Sequence, residues 1–208
     1  MTDLSTLIAA FTAMFIVIDP IGLAPLFIAM TQGMTSAQRR KIGIRACVVA
    51  IGLLLAFAIF GEALLEFVGI SMPAFRIAGG VLLFITALDM LFERRQARRQ
   101  DNADDAIDPE HDPSIFPLAI PLIAGPGAIA TIILLTGQTD SALGFGAVLG
   151  VMLVVIGMVF AMFMAAGLLE RLLGKTGINV VTRLLGMLLA ALSVQFILDG
   201  LKGFGLAG

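Results

Sequence analysis

Apolar runs long enough to cross a bilayer follow one another along this chain with little polar sequence between them. The first runs from near Leu7 to Met30, broken at Asp19-Pro20-Ile21-Gly22 and again at Pro25. The second extends from about Ile42 to Phe67, and the third from about Met72 to Phe92. A charged stretch from Glu93 to Ser114 precedes the fourth run, about Ile115 to Thr136, which Gly125-Pro126-Gly127 interrupts. The fifth covers about Leu143 to Leu169 and the sixth about Ile178 to Leu201. A helical span needs roughly 20 mostly apolar residues, because the hydrocarbon core is about 30 Å thick. The pattern predicts an all-α polytopic membrane protein of about six transmembrane helices, the first and fourth discontinuous.

Composition agrees. Of 208 residues, 59% are hydrophobic and 13% charged, against about 25% charged in soluble domains. Mean hydropathy is +1.05. A chain this apolar cannot cover its own surface in water, so its solvent is lipid. The formal net charge of −2 and the absence of Trp and Tyr give no phosphate-binding face and no stacking platform, so no nucleic acid partner is expected. The single cysteine, Cys47, lies inside an apolar run, and the single histidine, His111, lies in the acidic loop. Neither a disulfide framework, a metal cluster nor a nucleophilic triad can be assembled from that inventory. The sequence therefore predicts no enzyme and no cofactor. Met1-Thr2-Asp3 carries no basic residue ahead of the first apolar run, a poor signal peptide, so that run is expected to stay as a helix.

Basic residues set the expected orientation. Arg39, Arg40, Lys41 and Arg45 follow the first run, Arg94, Arg95, Arg98 and Arg99 the third, and Arg171 and Lys175 the fifth. The opposite side has Lys202. The positive-inside rule places the three charged loops in the cytoplasm and both termini outside. The linker's acids, Asp101 through Asp112, read as a solvated loop.

The two halves also match each other. One shift lays Pro20 on Pro126, Gln32 on Gln138, Phe57 on Phe163 and Gly61 on Gly167. A shift one residue longer lays Arg76 on Arg183 and Gly79 on Gly186. The predicted organisation is a three-helix repeat over 1–93, a charged linker over 94–114 and a second repeat over 115–208. Three spans is an odd number, so the second repeat is expected to enter from the opposite face, an arrangement common in secondary transporters.

Candidate chemistry sits at the two breaks. Proline removes a backbone donor and flanking glycine permits unwound geometry, so Asp19-Pro20-Ile21-Gly22 and Gly125-Pro126-Gly127 are expected to loosen helices at mid-membrane depth. Loosened backbone in lipid must be buried or line a cavity. The N–H groups of the half-helices that follow favour an anion such as a carboxylate; a kink that serves packing alone is the competing account. Asp19 either receives a substrate ammonium, carries a coupling proton, or caps the half-helix that begins at Pro20. Arg76 and Arg183 lie about one turn inside the third and sixth helices, lining vestibules or snorkelling to headgroups. Gln195 and Asn179 add polar groups on the sixth helix, with Asp89 and Asp199 near helix ends. Gly79-Gly80 and Gly186 are expected to permit close helix packing.

Three segments carry a family resemblance: Ile18-Asp19-Pro20-Ile21-Gly22-Leu23-Ala24-Pro25, the stretch from Pro117 to Ile129, and Arg183 to Gln195. Together with Arg76-Ile77-Ala78-Gly79-Gly80 they resemble the MarC family over essentially the whole chain. Leu23 stands where many relatives carry Asn. That family is grouped with LysE-type exporters and small neutral amino acid transporters, so the resemblance implies a bacterial inner-membrane transporter. The leading expectation is a secondary transporter of small neutral amino acids, with membrane lipid around it and proton coupling through Asp19 as an option. An exporter of hydrophobic drugs and a non-transporting membrane scaffold are the rivals, and the sequence leaves a homo-oligomer open.

Overall fold

The computed structural model describes residues 4–95, 112–139 and 141–205. Among them every regular element is a helix. His111, Arg98, Arg99 and most of the acidic linker run lie outside the described residues.

Helices α1 (Leu4–Ile18) and α2 (Pro20–Met30) together form one 27-residue apolar span. Pro25, expected to interrupt the run a second time, sits inside an unbroken α2. It forfeits one backbone bond, a loss that apolar spans absorb when neighbouring helices cover the site. Helix α3 (Ser36–Val68) begins earlier than the expected Ile42. A capping box between Thr35 and Gln38 starts it in the polar zone, where hydropathy alone gives no signal. Its 33 residues reach about 50 Å, so the turns bearing Arg39, Arg40 and Lys41 extend beyond the hydrocarbon. Helix α4 (Met72–Leu91) is capped by Ser71 and starts with Pro73 in its first turn.

The fourth span is broken over a longer stretch than Gly125-Pro126-Gly127. An irregular helix, α5 (Ser114–Ile123), has extended backbone at Phe116 and Ile120, each of which precedes a proline. Proline disfavours helical geometry in the residue before it, so Pro117 and Pro121 each open the ladder. Helix α6 (Pro126–Thr136) follows at a bend of 56°. Helix α7 (Ala142–Met164) ends short of the expected Leu169, and α8 (Ala166–Gly203) starts well before Ile178. Gly174, at φ 61, breaks α8 and leaves Thr176–Gly203 as its membrane-length part. Among the described residues five spans, the joined α1–α2 pair counting as one, are long and apolar enough to cross a membrane, six when the bent α5–α6 pair is also one span.

The packing is mostly between halves. Helix α4 lies along α8, α3 along α7, α1 against α7 and α5 against α3, while α2 meets α8 and α6 meets α4. Glycine sets the closest approach. A β-carbon at Gly80 would stand 2.8 Å from the Ser193 carbonyl oxygen, and one at Gly200 2.9 Å from that of Pro73. At Gly186 the same atom would lie 2.9 Å from Met90 Cβ. Residues near the start of α4 thus meet the end of α8, and those near its end meet Gly186, so the two helices run antiparallel. Helix α2 locks onto α7 through the Phe27 and Phe163 rings, stacked 4.3 Å apart.

Three buried threonine hydroxyls are satisfied within their own helices, while those of Ser114 and Thr182 have no partner among the described residues. Thr31 donates to the Phe27 carbonyl at 2.6 Å, Thr131 to Gly127 at 2.8 Å and Thr136 to Ile132 at 2.9 Å, the pattern expected where no water competes. Large apolar side chains such as Val48, Phe67, Leu143 and Leu188 face outward, toward lipid.

Candidate functional site

The first break is a left-handed residue. Asp19 takes φ 59 and ψ 65, which a short polar side chain tolerates better than most. Its N–H completes α1 by donating to the Phe15 carbonyl at 2.9 Å, and its own carbonyl accepts from Leu23 at 3.1 Å. The carboxylate folds over the N-terminus of α2, where Oδ1 accepts from the Gly22 N–H at 3.1 Å. Gly22 is required there: a β-carbon would stand 2.2 Å from Asp19 Oδ2. Asp19, Pro20 and Gly22 are buried, and Asp19 has no exposed surface at all. Ile21 is half-buried beside them.

The second break is built differently. Gly125 occupies the cap position of α6 in an extended conformation and has no side chain with which to cap it. It too must be glycine, because a β-carbon would stand 2.5 Å from the Pro121 carbonyl oxygen. Pro126 is the first helical residue, and Gly127 lies against α1, its β-carbon position 3.1 Å from Val17 Cγ1. The two breaks are therefore neighbours, one closed by its own carboxylate and the other open at its helix N-terminus.

That open end lines a cavity of about 210 Å³. Gly125, Pro126, Gly127 and Ala128 form one wall. Leu82, Ile85, Thr86 and Asp89 of α4 form another, and Arg95 completes the lining on the linker side. Asp89 is 8% exposed. Arg95 turns inward rather than to the headgroups: its Nη2 donates to the Val17 carbonyl at the end of α1, and its Nη1 meets Met90 Sδ at 3.0 Å. A narrow cleft continues from Asp89 and Arg95 toward Asn179 and Thr182 of α8.

The remaining candidates from the sequence are placed elsewhere. Arg183 pairs with Glu93 at 2.7 Å, and Asn179 donates to the same carboxylate at 3.3 Å, on an exposed face where α4 ends. Arg76 lies with Gln138, Asp199 and Lys202 around a wide polar depression at the other end of α4. Gln195 is exposed and donates to Asp199 Oδ1 at 2.9 Å. The cavity thus gathers Gly125, Pro126 and Gly127, but not Asp19, Pro20, Ile21, Gly22, Arg76, Arg183 or Gln195. Sequence reasoning passed over Asp89, Thr86 and Arg95 as cavity residues. Leu82, Ile85, Thr86 and Asp89 recur at helical spacing on one face, a signal present in the pattern. Nothing in the sequence separates Arg95 from its neighbour Arg94.

An open helix N-terminus, a cation and a buried acid around one small cavity can hold a solute bearing both charges. Comparison with known proteins supplies the lineage. The model of MarC family integral membrane proteins matches residues 4–204. The chain belongs to the MarC family. It is 35% identical over 202 residues to a UPF0056 membrane protein of Methanocaldococcus jannaschii, covering 97% of this chain and 98% of that protein. The UPF0056 membrane protein YvbG of Bacillus subtilis is 35% identical over 202 residues, covering 96% and 95%. YhcE of Escherichia coli, also a UPF0056 membrane protein, is 36% identical over 196 residues, covering 93% and 90%. No solved structure matches the chain. This MarC-family chain is accordingly an integral, multi-pass membrane protein with bacterial and archaeal relatives.

Proposed function

We propose that the protein is a secondary transporter of small neutral amino acids in a bacterial inner membrane. The observation that carries this reading is the cavity at the uncapped N-terminus of α6, with Arg95 and Asp89 in its lining. The N–H groups of the first turn of α6 and the Arg95 guanidinium favour the substrate carboxylate; Asp89 favours the ammonium. Asp19 is assigned the cap of α2, because its carboxylate is already folded onto that helix and it does not line the cavity.

Size and polarity favour this reading over drug export. Pockets for drug-sized ligands run from roughly 300 to 1,000 Å³ and are mainly apolar; this one is about 210 Å³ and holds two charged side chains. A dry scaffold has no use for a cavity at a loosened span, since such backbone in lipid needs a reason to persist. Inversion of the repeats is part of the proposal. It is supported by antiparallel α4 and α8 and by the reciprocal packing of α1 on α7 with α5 on α3, and of α2 on α8 with α6 on α4. The two breaks then approach the same depth from opposite faces.

Counterflow in proteoliposomes tests it. Liposomes preloaded with unlabelled alanine, serine or glycine are expected to accumulate the labelled solute. No counterflow across a panel of neutral amino acids would overturn the substrate class. Asp89→Asn is expected to cut uptake about tenfold or more, the scale of losing one hydrogen bond to a charged group. Asp19→Asn should leave uptake near normal, because Asn caps a helix about as well as Asp.

A further inference from the structure

The two arginines that match between the halves meet different fates. Arg183 has its guanidinium on the Glu93 carboxylate at 2.7 Å, and Asn179 braces the same acid. Arg76, at the opposite end of the α4–α8 pair, has no ion pair among the described residues, and its Nε is buried without an acceptor. Asp199 stands on the same depression but accepts from Gln195 instead. A buried donor left unmade is costly, so the place beside Arg76 lacks an anion. The depression has a volume of about 650 Å³. Two helices end on it: Gly137 caps α6 and Gly203 closes α8. Their last carbonyls and Asp199 favour a cation on one part of the rim, while Arg76 and Lys202 favour an anion on another. Helix α6 joins this place to the cavity. It starts in the cavity lining at Pro126 and stops at the depression at Gly137, so its 11 residues, about 16 Å, separate the two.

We propose that this depression is a second binding site for a zwitterionic amino acid, at the mouth away from the linker. The carboxylate bridges Arg76 Nε and Nη, the paired geometry a guanidinium offers, and the ammonium lies at Asp199 and the last carbonyls of α6. This rests on the reading of the cavity as an amino acid site and extends it, placing one site at each end of α6. A solute then passes from one set of fixed charges to another over a single half-helix. The outer site faces water, where charged contacts are screened, so it is the looser of the two and fills at higher concentration.

The test uses the full-length protein with Cys47→Ala and Gln138→Cys, which puts one thiol on the rim, in permeabilised membranes treated with a hydrophilic thiol reagent. Millimolar alanine is expected to slow labelling about two- to fivefold, the scale of one exposed charged contact. Propionate, without the ammonium, and alaninamide, without the carboxylate, should protect less. Arg76→Gln should abolish the protection and Arg76→Lys should retain part of it. Asp199→Asn should weaken protection by alanine and leave that by propionate. Asp89→Asn, in the cavity, should leave all of it intact, because the two sites are separate. With the native Gln138, Arg76→Gln should raise the alanine concentration for half-maximal counterflow several-fold and leave the maximal rate nearly unchanged. Protection that persists in Arg76→Gln, that vanishes in Asp89→Asn, or that is absent from the parent overturns the proposal. Counterflow without protection of the thiol sinks this site alone. Protection without counterflow of any amino acid sinks the transport reading and leaves the site standing.

Discussion

A β-carbon at Gly22 would stand 2.2 Å from Asp19 Oδ2, so these two residues are one device: a left-handed acid capping a helix whose third residue has no side chain. Asn also tolerates the left-handed region and caps as well, so Asp19→Asn should keep the turn and the cap and melt above Asp19→Ala. Asp19→Ala loses both advantages and should cost about 2 kcal/mol. A thiol-reactive dye reads both, because buried Cys47 becomes reactive on unfolding. Asp112 makes a second residue-scale prediction. Burial raises its pKa, but hydrogen bonding from Ser114 and the charge of Arg45 outweigh that, and the carboxyl is held below its usual value. A depressed carboxylate stabilises the fold above its unfolded pKa of about 3.9 and loses that contribution as pH falls through the folded value. The pair with Arg45 is about half exposed, so screening limits it to less than about 1 kcal/mol. Melts of the parent and Asp112→Asn should differ slightly at pH 7, less at high salt, and converge as acid protonates the carboxyl through its depressed folded value.

At the scale of elements, the α4–α8 pair is held at a spacing only glycine allows. Gly80→Ala and Gly200→Ala would press a methyl group onto partner backbone within 3 Å, and helices packed this closely yield by shifting, at a cost of about 1–3 kcal/mol each. Gly150→Ala in α7 meets nothing within 4 Å and is the control; it should be neutral or slightly stabilising, since alanine favours a helix over glycine. The same dye melt separates the two outcomes. The sequence announced this contact as Gly79-Gly80 and Gly186, but the partners became visible only with both helices in place. Gly79 in fact faces α6, its β-carbon position 2.9 Å from Leu134 Cδ1.

For the whole molecule, the positive-inside rule predicts the start of α3 in the cytoplasm and its far end on the opposite side. In a Cys47→Ala background, Ser36→Cys should resist an impermeant maleimide in intact cells and react after lysis. Glu66→Cys should react in both. Both positions are exposed at opposite ends of one helix. The reverse pattern would invert the assigned orientation and place the Arg95 side of the cavity outside. The halves also have few contacts of their own: α1 to α4 find their principal partners among α5 to α8. Separately expressed halves are therefore expected to be unstable alone and to recover the melt only when co-expressed.

Hydropathy by itself determined that the chain is a membrane protein, where its spans lie, and that the first and fourth are broken, because transfer of side chains to lipid and the geometry of proline and glycine act locally along the chain. It misplaced the ends of α3, α7 and α8, where capping in the polar zone and Gly174 set the boundaries. Tertiary structure alone decided how each break is closed. Asp19 and Gly125 occupy matching places in the two halves, yet the first closes its helix and the second leaves it open. Asp89 and Arg95, unremarkable in sequence, acquire their places because α4 packs beside α6 and the chain turns back at the end of α4. Which charge faces a cavity depends on the packing of distant segments, and no local rule carries that information.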